Sequence, residues 1–301
     1  MFGFRLFTKE ISRSGRQKIE SVGSMLTAQP LDQHRPAKNI HLGSVEQWQN
    51  FGLANPLERT PRKDYEFFGF APHAASGSQY SGTRVSIPEL ARVVRHERVM
   101  DFECNITDIE GLGASKAPLA ELADMDDFAH KRCAAYIKDI SLAAMNQSLS
   151  HREIRVIHSP GSDFFVRHSW DRRLFLANSG GSHHLCSGRY VAARLNASVP
   201  LRAELHRYEF DQSALADVLR SYAFGVIGST SKIKHAFFEA MQHAKVRFYW
   251  LPLPRPFDSL RGVIFPLEDE RSRYAFDLLR NSGMFDLGEY LKALAAGRTD
   301  T

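Results

Sequence analysis

A turn rich in glycine and histidine, Gly180-Gly181-Ser182-His183-His184, is the part of this sequence best suited to chemistry. An apolar segment precedes it and a segment with helical spacing follows it, so the pattern predicts a helix that begins after two glycines. The first turn of a helix presents unpaired backbone N–H groups and the positive end of the helix dipole. The glycines would let a ligand approach the backbone closely, and the serine and histidines add donors. This pattern predicts either a phosphate-binding site or a tight turn in which Ser182 caps the helix.

The elements around this turn would hold it in place. Alternating apolar and polar residues predict strands over 164–170 and 174–178, joined in a hairpin at Asp171-Arg172-Arg173. Strand and helix patterns alternate over the rest of the chain without an internal repeat, which predicts an α/β or α+β fold. Helices are predicted over 118–142, 183–196, 231–244, 268–281 and 286–296 and after Asp211, and further strands over 153–158, 201–210, 224–227, 246–252 and 262–267.

The stretch from 174 to 205 resembles the ParB/sulfiredoxin superfamily. Residues 180–184 are similar to the Gly-Gly-Cys-His-Arg turn of sulfiredoxins, residues 189–195 resemble the helix that follows it, and residues 196–200 resemble the turn into a Val-Pro strand. The resemblance covers roughly residues 86–215, and the turn formers and poor apolar periodicity before it indicate a loose arm, so three segments are predicted. They are a loosely structured N-terminal arm (1–85), a ParB/sulfiredoxin-like nucleotide-binding domain (86–215) and an α/β C-terminal extension (216–301).

The resemblance also implies a function. Members of the superfamily bind ATP or CTP with the phosphates on this turn, so a nucleoside triphosphate with Mg²⁺ is the expected ligand. Some members hydrolyse the nucleotide or transfer a phosphoryl group, and several act on DNA, so these activities are expectations for this chain. Ser182 stands where sulfiredoxins have their catalytic cysteine, which argues against reduction of a sulfinic acid. His184 stands where the family has a phosphate-binding arginine, and neutral histidine binds anions less well than arginine.

Other side chains would then have to complete the site. An arginine elsewhere would replace the missing one, or nucleotide binding has been lost. The candidates for that arginine are Arg189, Arg173, Arg167 and Arg172. An acidic residue would hold magnesium or act as the general base, although an ordinary solvated turn or helix residue is the simpler interpretation of each candidate. These catalytic candidates are Asp139, Asp163 and Asp171.

Two other function classes stay open. The order Arg155, Ser229-Thr230-Ser231, Glu268-Asp269-Glu270 is similar to the Arg, Ser-Thr-Ser, Glu-x-Glu order of some ADP-ribosyltransferases. The serines and carboxylates of that pattern also stand where helices need caps and favour acidic residues. The other alternative is a non-catalytic protein-interaction module in which the anion-binding turn is vestigial.

Charge and hydropathy limit the classes of protein to which this chain could belong. The 301 residues carry a net charge of +5, and most of the excess lies in residues 1–84, which hold 11 Lys and Arg against 7 Asp and Glu. This charge permits contact with DNA or an acidic partner without requiring it. No stretch is long and apolar enough for a membrane span, and the N-terminus lacks the pattern of a secretory signal.

The spacing of the cysteines and histidines indicates the cellular compartment and whether the chain has a metal-binding motif. Cys104, Cys133 and Cys186 lack CxxC spacing, which excludes a disulfide scaffold and a zinc ribbon and predicts a cytoplasmic protein. The histidines form neither an HExxH nor an HxH motif, so no metal site is predicted.

Overall fold

The computed structural model describes residues 11–26, 30–54, 62–73, 80–228 and 230–297. The chain divides into two compact units, which we call unit 1 and unit 2. Unit 1 comprises Met1–Arg35, Asn50–Val94 and Phe210–Thr301, and unit 2 comprises Pro36–Gln49 and Arg95–Glu209. Each unit combines a sheet with helices, which confirms the predicted mixed α/β class.

Helices and strands alternate along much of the described chain. The helices are α1 (Arg13–Gly23), α2 (Met125–Arg132), α3 (Leu142–Leu149), α4 (Arg155–His158), α5 (Ser182–Leu195), α6 (Gln212–Ser221), α7 (Ser231–Ala244), α8 (Glu270–Asn281) and α9 (Leu287–Ala295). The strands are β1 (Glu66–Pro72), β2 (Tyr80–Ser86), β3 (Val94–Asn105), β4 (Ile109–Leu112), β5 (Phe164–His168), β6 (Leu174–Ala177), β7 (Pro200–Phe210), β8 (Tyr222–Val226), β9 (Phe248–Pro252), β10 (Arg261–Pro266) and β11 (Phe285–Asp286). Short 3-10 helices span Leu42–Ser44, Trp48–Asn50, Pro88–Arg92, Ile106–Asp108 and Leu119–Glu121. Within these described ranges, no helix has both the length and the apolar character that crossing a bilayer requires.

Unit 1 is organised around a six-stranded antiparallel sheet with the order β11-β8-β10-β9-β1-β2. Its core gathers the buried rings of Phe237 on α7, Phe248 on β9 and Phe265 on β10. Helix α1 packs on α7 and α8 and buries Ile19 in the same core. Removing an aromatic ring from water contributes roughly 2–3 kcal/mol, so these contacts hold the helices on the sheet.

The structure differs from the expected loose arm over residues 1–85. Strands β1 and β2 form a hairpin in which Phe67 pairs with Val85, and β1 joins the sheet where Phe70 pairs with Phe248. β2 lies at the edge of the sheet and is only partly buried, so its sequence does not need the regular apolar alternation that signals a strand.

The boundaries of the units also differ from the expected three segments. The chain passes between the units after residues 35, 49, 94 and 209, whereas the expected boundaries lie at 86 and 216. The expected extension, 216–301, forms one unit with residues 50–94 because β9 pairs with β1.

Unit 2 is organised around a five-stranded sheet with the order β3-β7-β5-β6-β4. Strands β5 and β6 pair antiparallel, which confirms the predicted hairpin, while β5 runs parallel to β7 and β4 runs parallel to β6. Helix α5 packs against α2 and α3 and shares a core with the sheet through Leu185 and Phe165. Phe164 pairs with Ala177, so the start of β5 lies beside the end of β6, where the turn into α5 begins.

Local signals decide which predicted elements are present. The predicted helix after the glycine turn is α5, the predicted strand after it is β7, and Asp211 caps α6 as predicted by accepting from the Ala214 N–H. The predicted strand over 153–158 is wrong, because residues 155–158 form helix α4. The sequence pattern does not predict β3, because β3 is a charge-rich edge strand with mostly exposed side chains.

The single helix predicted over 118–142 is wrong as well. Within that range the structure has a short 3-10 helix and helix α2, followed by a non-helical segment, and α3 begins only at the last residue of the range, Leu142. The side chains of Asp124 and Ser141 accept hydrogen bonds from the N–H groups of Asp127 and Ala144, so each begins a new helix.

One buried histidine makes the stability of unit 2 sensitive to acid. His168 is 2% exposed between the rings of Trp170 and Tyr208, and neither of its ring nitrogens has a hydrogen-bond partner among the described residues. Burial lowers the pKa of His168 to about 4, against a smaller raising effect of Asp171. The unfolded chain therefore takes up a proton as the pH falls below about 6.5 while the folded chain does not, so stability is lost between that pH and about 4.

We expect His168→Phe to remove this acid sensitivity. The ring has no hydrogen bond to lose, so the free energy of unfolding at pH 7 should change by less than about 1.5 kcal/mol. Between pH 7 and pH 5 the wild type should lose about 2 kcal/mol more than the variant, measured by urea unfolding at both pH values. Equal losses in the two proteins would contradict this account.

Candidate functional site

Helix α5 begins without a capping side chain. Its N-cap is Gly181, which has a φ of 68° and carries no side chain to accept from the first-turn N–H groups. The other helices of eight or more residues in the described part of the chain do have a side-chain cap. Those caps are Ser12, Asp124, Ser141, Asp211, Thr230, Asp269 and Asp286. The first turn of α5 therefore keeps donors that an anion could accept from.

Ser182 does not cap α5, although the sequence pattern allowed that alternative. It is the first residue of the helix, and its hydroxyl donates to the Ser115 hydroxyl oxygen at 2.8 Å. The side chain is 5% exposed, so it contributes to the packing of the turn.

Two buried side chains hold the turn before α5 in one conformation. The Asn178 amide donates to the carbonyl oxygens of Gly180 and Ala114 at 3.0 and 2.9 Å. Asp163 accepts from both the N–H and the hydroxyl of Ser179 through Oδ1, at 3.0 and 2.8 Å. The turn is therefore fixed before any ligand arrives, which lowers the entropic cost of binding.

A close chain crossing constrains both glycines and leaves no room for a side chain at position 181. A Cβ atom at Gly181 would lie 2.6 Å from the backbone of Glu153 and Ile154, and one at Gly180 would lie 3.3 Å from the Glu153 carbonyl oxygen. The positive φ of Gly181 adds a second reason for glycine. Packing against residues 153–154 explains these glycines, whereas the sequence pattern had suggested room for a ligand.

Three basic side chains surround the start of α5. The Arg155 guanidinium donates to the Ser179 hydroxyl oxygen at 2.9 Å. The positive charges of Lys116 and Arg132 lower the pKa of His183, after burial, which has the larger effect. Lys116 and Arg132 play no part in the sequence interpretation, and Arg155 enters it only through the ADP-ribosyltransferase pattern, because no short-range signal links these residues to the turn.

The two histidines of the turn lie in different surroundings. His184 stacks on His151 with ring centroids 3.8 Å apart and planes 10° apart, and Tyr136 lies 5.0 Å from it on the loop between α2 and α3. His183 packs edge-on against Phe128 at 5.1 Å. Burial lowers the pKa of both histidines, and the charge of His151 lowers the pKa of His184 further while Glu153 opposes this. Both rings therefore favour the neutral form at neutral pH.

The arginines predicted to support the turn lie elsewhere. Arg189 donates to the carbonyl oxygens of Ile109 and Thr107 at 2.9 and 3.1 Å and contacts Asp126, so it fastens α5 to its neighbours. Arg173 donates from two nitrogens to the Asp171 carboxylate, each at 2.7 Å, at the end of β6 away from the turn. In this structure both arginines therefore have partners other than the N–H groups of the turn, and their assignment to the phosphate site stays a prediction.

The two alternative arginines also lie at the hairpin end of the sheet. Arg167 pairs in register with Leu174 at the start of β6, and Arg172 lies within the hairpin turn with a φ of 72°. About four residues of extended strand separate this end of β6 from the glycine turn, or roughly 13 Å.

Of the three predicted carboxylates, the structure brings only Asp163 to the turn. Asp171 is paired with Arg173 in the hairpin, and Asp139 accepts from the Ser141 hydroxyl at 2.9 Å ahead of α3. Asp163 Oδ2 is buried without a hydrogen-bond partner among the described residues. Asp163 therefore orders the loop through Oδ1, and its second oxygen is sealed from solvent.

The structure does not bring the residues of the ADP-ribosyltransferase pattern together within one unit. Arg155 lies in unit 2, whereas Thr230 and Asp269 lie in unit 1. Thr230 caps α7 and Asp269 caps α8, so both have the structural role that the sequence context indicated. Ser229 lies outside the described residues. Within the described ranges, no group of three or more His, Cys, Asp and Glu residues is arranged to hold a metal ion.

Comparison with known protein families identifies the family of this chain. Residues 99–299 match the model of a family described as a family of unknown function (DUF6685), which covers two thirds of the chain. No curated protein and no solved structure matches the chain. The resemblance to the ParB/sulfiredoxin superfamily stays a prediction, and the geometry of the site carries the functional argument.

We expect Gly181→Ala to destabilise the protein more than Gly161→Ala. Both glycines have a positive φ, but a Cβ at Gly161 would meet nothing within 4 Å, whereas one at Gly181 would overlap the 153–154 backbone. The backbone conformation should cost about 1–2 kcal/mol in both variants, and the overlap should add about 1–3 kcal/mol in Gly181→Ala alone. Urea unfolding measures both, and equal losses would show that the chain crossing does not constrain position 181.

Proposed function

We propose that this chain, which belongs to the DUF6685 family of unknown function, binds a nucleoside triphosphate through its phosphates at the start of α5. The observation that carries the proposal is that α5 begins with an uncapped first turn beside a guanidinium, that of Arg155. Helix N-termini bind phosphate because the N–H donors and the helix dipole act together. The positive charges of Lys116 and Arg132 near His183 favour the same kind of ligand.

A polyphosphate suits this arrangement better than a single carboxylate does. Each phosphate carries several acceptor oxygens, so one ligand could accept from the first-turn N–H groups and from the Arg155 fork at once. The surrounding turn is already ordered by Asn178 and Asp163. Mg²⁺ would accompany the triphosphate and neutralise part of its charge.

The proposal concerns binding and not a chemical step. Hydrolysis or phosphoryl transfer would need a base or a magnesium ligand, and the free oxygen of Asp163 is sealed from solvent. Two expectations accompany the proposal. The resemblance implies action on DNA, and the three free thiols indicate a cytoplasmic location.

We expect Arg155→Ala to weaken triphosphate binding about tenfold or more. A hydrogen bond to a charged group contributes about 1.5–3 kcal/mol, which corresponds to that factor. The measurement is calorimetric titration of the full chain with ATP, CTP, GTP and UTP, each with and without Mg²⁺. Arg152→Ala is the matched control, because it removes the same charge from the same segment.

Three outcomes would contradict the proposal. Equal affinity in Arg155→Ala and wild type would remove Arg155 from the site. Absence of binding by any triphosphate would favour the interaction module. Binding of NAD alone would favour the ADP-ribosyltransferase.

We expect triphosphate binding to strengthen as the pH falls below about 6.5. The pKa values of His183 and His184 are lowered in the free protein, so both rings are neutral at pH 7.5. A bound anion favours the protonated rings, so proton uptake should increase affinity by up to about tenfold per pH unit for each ring that gains a proton. Titration of the wild type and of the double variant His183→Ala, His184→Ala between pH 7.5 and 5.5 measures this effect.

The double variant also corrects for protonation of the ligand. Protonation of the terminal phosphate affects both proteins alike, so the difference between their pH profiles reports the histidines. Parallel profiles would show that neither ring contacts the phosphates.

A further inference from the structure

A cavity of about 270 Å³ opens between helices α6, α8 and α9 of unit 1. Each of these helices packs on strand β8, and residues of all four elements line the cavity. Common ligand pockets have volumes of roughly 300–1,000 Å³, so this cavity suits a ligand at the small end of that range, such as a single amino acid.

One part of the cavity wall is apolar. Leu219 of α6, Phe224 of β8 and Phe276 of α8 contribute to it, and the two phenylalanines belong to the buried core. A Cβ atom at Gly288 would lie 2.9 Å from Leu219 Cδ2, so α9 and α6 are in close contact at this wall. An apolar group of a ligand would be removed from water here, which favours its binding.

Another part of the wall is charged, with equal numbers of cations and anions. Arg280 contacts Asp277 at 3.3 Å and Asp286 at 3.7 Å. Lys292 contacts Glu289 at 2.7 Å. This balance disfavours a phosphate or another ligand of high net charge, because such a ligand would face like charges on the wall. The six charged residues are Arg273, Arg280, Lys292, Asp277, Asp286 and Glu289.

Two of these side chains keep hydrogen-bonding groups that the protein does not use. The Arg273 guanidinium donates to the carbonyl oxygen of Leu267 and has no carboxylate partner among the described residues. Asp277 accepts from Arg280 through Oδ1, and its Oδ2 accepts no hydrogen bond in the described part of the chain. Arg273 and Asp277 are four positions apart on α8, so they lie one turn apart on the same face of the helix. The cavity wall therefore offers free N–H donors beside a free carboxylate oxygen.

We propose that this cavity binds an α-amino acid with an apolar side chain. The ligand's carboxylate would accept from Arg273, its ammonium would donate to Asp277 Oδ2, and its side chain would contact the ring of Phe276. An α-amino acid carries both charges on one carbon atom, which matches two neighbouring groups of opposite charge. It has no net charge, so it does not disturb the balanced wall. The inference does not depend on nucleotide binding, because the cavity belongs to unit 1 and the start of α5 belongs to unit 2.

The test compares L-leucine with three compounds that each lack one part of it. 4-Methylpentanoate lacks the ammonium, 3-methylbutylamine lacks the carboxylate, and glycine lacks the apolar side chain. The measurement is amide NMR of the ¹⁵N-labelled full chain, in which the N–H of Gly288 reports from the cavity wall. We expect leucine to shift this signal and to bind about tenfold or more tightly than each of the three compounds, because each loses one class of contact.

Four results would overturn the proposal. Equal affinity for leucine and 4-methylpentanoate would show that no group recognises the ammonium. Equal affinity for leucine and 3-methylbutylamine would show the same for the carboxylate, and equal affinity for leucine and glycine would remove the apolar contact. Shift changes centred outside the cavity, or none at all with leucine, would remove the site itself.

Two variants assign the two charged contacts. Arg273→Gln should weaken binding of leucine and 4-methylpentanoate about tenfold or more and leave 3-methylbutylamine unchanged, because the amine has no carboxylate. Asp277→Asn should weaken binding of leucine and 3-methylbutylamine and leave 4-methylpentanoate unchanged. Loss of all three compounds to the same extent in either variant would contradict the assigned contact.

Arg220→Gln is the matched control. Arg220 lies on α6 with its side chain 73% exposed, and it does not line the cavity, so this variant should bind leucine as the wild type does. A loss equal to that of Arg273→Gln would overturn the assignment of Arg273. Circular dichroism checks the folding of each variant, and if one does not fold, the comparison of the four compounds on the wild type decides the proposal.

Discussion

The backbone of Glu153 and Ile154 crosses the turn before α5 so closely that only glycine fits at position 181. That glycine takes the left-handed conformation and leaves the helix without a capping side chain. The same turn is fastened by Asn178 and Asp163, so the uncapped N–H groups are held in place. One steric constraint thus leaves a set of ordered N–H donors at the start of α5. The nearby basic side chains add the positive charge that attracts an anion.

The packing of α5 connects this site to the core of unit 2. Arg189 fastens the helix to the carbonyl oxygens of Thr107 and Ile109. Cys133, just after α2, donates to the carbonyl oxygen of His183 in the first turn of α5 at 3.5 Å, and Cys186 contacts the carbonyl oxygen of Met125 in α2 at 3.2 Å. These contacts hold the first turns of α5, where we propose that phosphate binds, against α2.

Local sequence signals predict much of the region around the site. The hairpin of β5 and β6, helix α5 after the glycine pair and the Asp211 cap of α6 all follow from turn residues, glycines and capping side chains within a few positions. The edge strands β2 and β3 do not, because most of their side chains are exposed or only partly buried and lack a regular apolar alternation. The prediction of one helix over 118–142 is wrong because it followed the apolar spacing and did not account for two capping residues, Asp124 and Ser141, at which new helices begin.

The remaining parts of the site depend on contacts between distant residues. Residues 180–184 can be located from the sequence, but the role of Gly181 depends on a segment about 30 positions earlier. Arg155 reaches Ser179 only in the folded chain. Arg189 donates hydrogen bonds to backbone carbonyl oxygens about 80 positions earlier, and the residues around Arg189 in the sequence do not predict these contacts. Residue type alone therefore cannot show which arginine lies beside the turn.

The most direct test of the phosphate site is amide NMR of the ¹⁵N-labelled protein during titration with ATP and CTP, with and without Mg²⁺. Our account predicts that the largest shift changes occur at the N–H groups of Ser182, His183 and His184 and at the Arg155 side chain. Shift changes centred elsewhere, or none at saturating nucleotide, would contradict it.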